Sequence, residues 1–148
     1  MKSSRLTTFN VLICVCLILW TAFIWRNSIP TKEASTAQSQ QVIELVEPIL
    51  EALRIPPESY QHVVRKTAHF VEFFVLGTLW TTLFRGRNCR WPLLFCLLTA
   101  MADEGLQALT GRGNQWSDVA LDFCGSAVAV AAVSLLFLGF YHLKQTKQ

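Results

Sequence analysis

Hydrophobic positions gather into four long runs, Thr8–Trp25, Thr67–Phe84, Trp91–Leu109 and Val119–Tyr141, with polar segments between them. Each is close to the ~20 residues that an α-helix needs to cross a hydrocarbon layer of about 30 Å. The pattern predicts an all-α integral membrane bundle of four transmembrane helices, over 8–25, 63–84, 91–109 and 119–141, in a single membrane domain. The connections Arg85–Arg90 and Thr110–Asp118 are short, which makes successive helices antiparallel neighbours.

Between the first two runs lies one long polar stretch, 26–61. Ser28 to Gln41 is rich in Ser, Thr, Gln and Ala and reads as a flexible linker. From Val42 the pattern turns helical: Val42, Val46, Ile49, Leu50 and Leu53 share one face, while Glu44, Glu47, Glu51 and Arg54 share the other. Pro48 predicts a kink or a division into two short helices, and Pro56-Pro57 ends the element. This amphipathic helix is expected outside the cytoplasm on the membrane surface, with packing over the bundle as a lid as the alternative.

Composition agrees with a membrane protein, since 52% hydrophobic residues and a mean hydropathy of +0.36 exceed what a soluble domain usually carries. The net charge of +3 is too small to imply nucleic acid, and its distribution says more. Lys2 and Arg5, then Arg85, Arg87 and Arg90, then Lys144 and Lys147 stand in segments without acids. The positive-inside rule therefore puts both termini and the 85–90 loop in the cytoplasm and turns the acid-bearing loops outward. Thr8–Trp25 is longer than a signal-peptide core and ends far from the possible cleavage site Ser35-Thr36-Ala37, so it reads as an uncleaved anchor. The five cysteines lie outside the outward segments where disulfides persist and read as small buried hydrophobes.

Chemistry enters with Arg65, Lys66, His69 and Glu72, on the first turns of the second membrane helix. A charge deep in hydrocarbon costs about 2.5–3.5 kcal/mol on insertion scales, so these groups need partners. In the predicted topology Asp103, Glu104 and Gln107 on the third helix, and Asp118 and Asp122 on the fourth, fall at the same depth, within about 15 Å of the outer boundary. Faces agree too: Arg65, His69 and Glu72 form one stripe, and Asp103/Gln107 and Asp118/Asp122 are i, i+4 pairs. Gly125, Ser126 and Ala129 continue the last stripe as small residues that permit close helix approach. A loop carrying Arg112, Gly111 to Ser117, would roof the cluster. Ionisable groups inside a membrane are functional by default, the alternative being an ion-paired network that only locks the bundle.

The order R-K-x-x-H-F-x-E-F, then L-G, D-E-x-x-Q, G-R and D-x-x-x-D-x-x-G resembles the VanZ-like family of small bacterial membrane proteins. The residues are Arg65-Lys66, His69-Phe70, Glu72-Phe73, Leu76-Gly77, Asp103-Glu104, Gln107, Gly111-Arg112, Asp118, Asp122 and Gly125, within about 63–136. Leu106 and Thr110 depart from the pattern, where many members have His and Pro. The resemblance implies a multi-pass protein of the bacterial cytoplasmic membrane acting in the cell envelope.

Two functions compete. As an enzyme on an envelope lipid or lipid-linked head group, the protein would use His69, Glu72 and Asp103 or Glu104 for proton transfer. Arg65, Lys66 and Arg112 would bind a phosphate or carboxylate, with Gln107, Asp118 and Asp122 completing the substrate site. As a binder of an envelope lipid, glycopeptide or partner protein, it needs the same cationic rim but no acid–base pair. The apolar halves Val75–Phe84 and Leu93–Thr99 argue against a path through the membrane for transport. Expected partners are membrane lipid and a lipid-linked envelope intermediate, not nucleic acid; the oligomeric state is left open. No cofactor and no metal is assigned. A metal variant would use His69 and Glu72 with Asp103, Glu104 or Asp122 and would favour Mg²⁺, Mn²⁺ or Ca²⁺ over zinc.

Overall fold

The structure, a computed structural model, describes residues 2–110 and 116–146. It is all-α, with helices α1 (Lys2–Ser28), α2 (Lys32–Ala52), α3 (Tyr60–Leu83), α4 (Arg90–Leu109) and α5 (Trp116–Gln145), and no strand among the described residues. Among the described residues three helices are long and apolar enough to cross a membrane: α1 over Thr7–Ser28, α4 and α5. The fourth predicted span, α3, does not stand among them; its first half carries Arg65, Lys66, His69 and Glu72.

The polar stretch after α1 corrects the expectation of a linker. Residues 32–41 are helical and belong to α2, which runs unbroken through Pro48 to Ala52. Thr31 caps its start by accepting a hydrogen bond from the Ala34 amide, and Ser35 is buried, so packing adds to what local composition leaves ambiguous. The Pro48 side chain is exposed, and no division into two helices occurs. Arg54, in the left-handed region at φ 56°, closes α2 with the Ile55 and Arg54 amides bonded to the Leu50 and Glu51 carbonyls. Pro57–Ser59 then forms one 3₁₀ turn that leads into α3.

α3 is the hub of the bundle, touching each of the other four helices, and α5 most extensively. The α3–α5 approach depends on small residues. A methyl group added at Gly77 would lie 2.8 Å from the Ser126 carbonyl oxygen, and one at Gly125 would lie 2.5 Å from that of Phe70. Ser126 seals the seam by donating to the Phe73 carbonyl. Phe73, Leu76, Cys96, Ala100 and Val119 build the core with Leu17 and Ile24 of α1. A second cluster, Ile43 and Leu50 of α2 with Tyr60, ties α2 along α3. Of the predicted α2 stripe, Leu50 and Val46 pack toward α3, joined by Ile43 from outside the stripe, while Val42, Ile49 and Leu53 remain exposed.

The outward surfaces of α1 and α5 are strongly apolar, with Leu12, Ile18, Leu19, Leu135, Leu136 and Phe140 exposed, as helices facing lipid require. All five cysteines are free, but only Cys96 is buried; Cys14 and Cys124 face outward, which corrects the reading of all five as buried hydrophobes.

Candidate functional site

The stripe Arg65, His69 and Glu72 faces a cavity of about 770 Å³ between α2, α3 and the end of α1. Its walls are of two kinds. Val42, Val46, Ile49 and Leu50 of α2 and Leu53 just beyond its end, with Val63, Val64 and Val71 of α3, make a long apolar lining. Asn27 and Ser28 of α1, with Arg65, His69 and Glu72, bring polar groups to the same space.

Behind His69 the helices converge on fully buried carboxylates. His69 Nδ1 lies 3.4 Å from Asp122 Oδ1, and Asp122 is completely shielded from solvent. Asp103, equally buried, accepts from Ser28 Oγ at 2.6 Å and from Gln107 Nε2 at 2.8 Å, one bond on each carboxylate oxygen. One ligating atom from each of His69, Asp103 and Asp122 lies within 4.8 Å of the others, a grouping able to hold a metal ion. Glu72 is fixed beside them: Asn27 Nδ2 donates to its Oε1 at 2.8 Å, and Trp20 Nε1 donates to its backbone carbonyl at 2.9 Å. The i+4 spacing of Asp103 and Gln107 explains their mutual hydrogen bond, and the i+7 spacing of Arg65 and Glu72 explains their shared cavity face.

The remaining sequence candidates divide. Lys66 leaves the cavity stripe and pairs with Asp118, joining α3 to α5; Ser117 Oγ also donates to Asp118. Glu104 is buried on α4 but stands outside the His69–Asp103–Asp122 group. Arg112 and the loop Gly111 to Gln115 lie outside the described residues. The metal variant shifts correspondingly, because Asp103 and Asp122, rather than Glu72, share the grouping with His69.

Sequence reasoning missed α1 as a contributor. Asn27 and Ser28 supply direct hydrogen bonds to Glu72 and Asp103. The signal was present in the break from apolar run to Trp25-Arg26-Asn27-Ser28, at the helix end that an antiparallel hairpin sets level with the start of α3.

The architecture defines a class: a helical membrane protein whose bundle encloses an imidazole–carboxylate cluster beside a mostly apolar cavity. The chain belongs to the VanZ/LLP1 family, whose pattern matches residues 13–138. That span takes in most of α1, including the Asn27 and Ser28 that complete the cluster. No curated protein and no solved structure matches the chain.

Proposed function

We propose that this protein binds an amphiphilic envelope lipid, or a lipid-linked head group, at the extracytoplasmic face of the bacterial cytoplasmic membrane. In this reading the bundle has four spans, with α3 crossing alongside α1, α4 and α5 and both termini in the cytoplasm. The observation that carries it is the single cavity with two chemistries. Hydrocarbon suits the Val- and Leu-lined wall, while Arg65, His69, Asn27 and Glu72 suit a polar head. Of the expected cations among the described residues, Arg65 is the one offered to the ligand, because Lys66 is committed to Asp118. An arginine fork suits a phosphate or carboxylate, which makes an anionic head group the expected partner. An acyl chain comes from a bilayer as apolar as this wall, so the polar contacts to the head and the fit of the chain, not hydrocarbon burial, would set the affinity.

Mass spectrometry of the intact chain released from detergent, carrying the lipid that it retains, tests this reading. Val46→Trp, which places bulk into the apolar part of the cavity, is expected to abolish retained lipid. Arg65→Ala is expected to remove the preference for phosphatidylglycerol over phosphatidylcholine while leaving binding itself. Leu138→Trp, on the exposed outer face of α5, serves as the control. Unchanged lipid retention by a folded Val46→Trp protein would defeat the proposal.

A further inference from the structure

The geometry points to a binding site for one hard divalent cation, of the Mg²⁺ and Mn²⁺ class, formed by His69 of α3, Asp103 of α4 and Asp122 of α5. Asp122 is the first reason. It has no exposed surface, and among the described residues neither of its carboxylate oxygens has a hydrogen-bond partner; His69 Nδ1 lies 3.4 Å from its Oδ1. A buried carboxylate left in that state is costly, and an ion between the three side chains removes the cost.

Geometry is the second. The three donor atoms lie within 4.8 Å of one another. Ions with ligand distances of about 2.0–2.6 Å seat their donors roughly 3–5 Å apart. Asp103 is already oriented for such a role. Ser28 and Gln107 each occupy one lone pair of its oxygens, leaving another on each for an ion. Hydrogen bonds of this kind hold ligating carboxylates in place in established metal sites.

Charge is the third. Within the grouping two buried carboxylates, Asp103 and Asp122, meet one imidazole, His69, while Glu72 shares its cavity face with Arg65. Lys66 is spent on Asp118 at the α3–α5 seam. A divalent ion closes that gap. Two carboxylates and an imidazole form a hard donor set, and no cysteine belongs to the grouping, which separates this site from thiolate zinc. Three protein donors leave positions that an ion of this class fills with water or with phosphate oxygen, and His69 lines the cavity from which these would come. In this assignment His69 and Asp103 hold an ion instead of transferring protons, the role expected from the sequence.

The site stands whether or not the cavity takes lipid, and its test is separate. The full-length chain, purified in detergent and stripped with chelator, is titrated with Mn²⁺ while free Mn²⁺ is followed by electron paramagnetic resonance. One saturable Mn²⁺ per chain is expected, competed by Mg²⁺. Ser28→Ala, which removes only a hydrogen bond to Asp103, should weaken it about 10-fold. Asp122→Asn should weaken it further, and Glu58→Gln, exposed on the 3₁₀ turn, should leave it unchanged. Absence of saturable binding at millimolar Mn²⁺ overturns the site, as does wild-type affinity in an Asp122→Asn protein that circular dichroism shows to be folded. Should Asp122→Asn fail to fold, unchanged affinity in Ser28→Ala overturns it instead. Competition by Zn²⁺ but not by Mg²⁺ would overturn the assignment to a hard ion. Lipid retention measured in chelator reports on the cavity independently of all these results.

Discussion

Gly125 and Gly105 both occupy helix interiors, yet the structure assigns them opposite sensitivities. A methyl group at Gly125 meets the Phe70 carbonyl at 2.5 Å, whereas one at Gly105 meets nothing within 4 Å. Gly125→Ala should force α3 and α5 apart and cost about 1–3 kcal/mol, the usual range for overpacking. Gly105→Ala should instead stabilise by about 0.5–1 kcal/mol, through helix propensity alone. Thermal unfolding in detergent compares the two directly. The Lys66–Asp118 pair invites a second test at this scale. Lys66→Asp or Asp118→Lys alone should each cost about 1–2 kcal/mol, since part of the pair is open to solvent and screened. The double reversal should recover most of that loss. Residue by residue, much of the cluster was legible in sequence, because i+4 and i+7 spacing is a property of any helix. Asn27 and Ser28 were only half legible, since the break at Trp25-Arg26-Asn27-Ser28 marks a helix end but not whether that end meets a carboxylate or water.

At the scale of elements, α2 marks the limit of local reading. Ser, Thr, Gln and Ala between residues 32 and 41 are compatible with a loop or a helix, and the choice falls to tertiary packing. Val42 onward was legible because apolar residues repeat at helical spacing; Ser35 was not, since its burial depends on a neighbour distant in sequence. The helical form of this segment predicts that Gln40→Pro, at an exposed position inside α2, costs about 3 kcal/mol of helix stability. Limited proteolysis between α1 and α2 should accelerate in that variant, and lipid retention should fall with it. Wild-type cleavage as rapid as the variant's would show that residues 32–41 behave as a linker after all.

For the whole molecule, the proposed topology makes a prediction in cells. With the five native cysteines replaced, a cysteine introduced at the exposed Gln40 should react with an impermeant maleimide. One introduced at Gln145 should react only after permeabilisation; the opposite pattern would turn the site toward the cytoplasm. The four apolar runs made the all-α class plain from sequence, whereas the standing of α3 as a span depends on charge partners that other helices contribute. That dependence also sets an order of events during synthesis. α3 leaves the ribosome carrying Arg65, Lys66, His69 and Glu72 before α4 and α5, which hold Asp103, Asp118 and Asp122, have been made. Glu72 can meet Asn27 of α1 at once, but Lys66 and His69 do not meet Asp118 and Asp122 until the last helix arrives, and α5 is also the helix that α3 packs against most extensively. A nascent chain ending at Leu109 stays anchored through α1 and α4, but its α3 should lie more open to water, so that a cysteine introduced at Lys66 reacts with a water-soluble maleimide faster than in the full chain. Settling of α3 in the bundle is then decided by α5, the last helix made, and a quality-control protease would find its most vulnerable substrate in a chain whose translation stopped between α4 and α5.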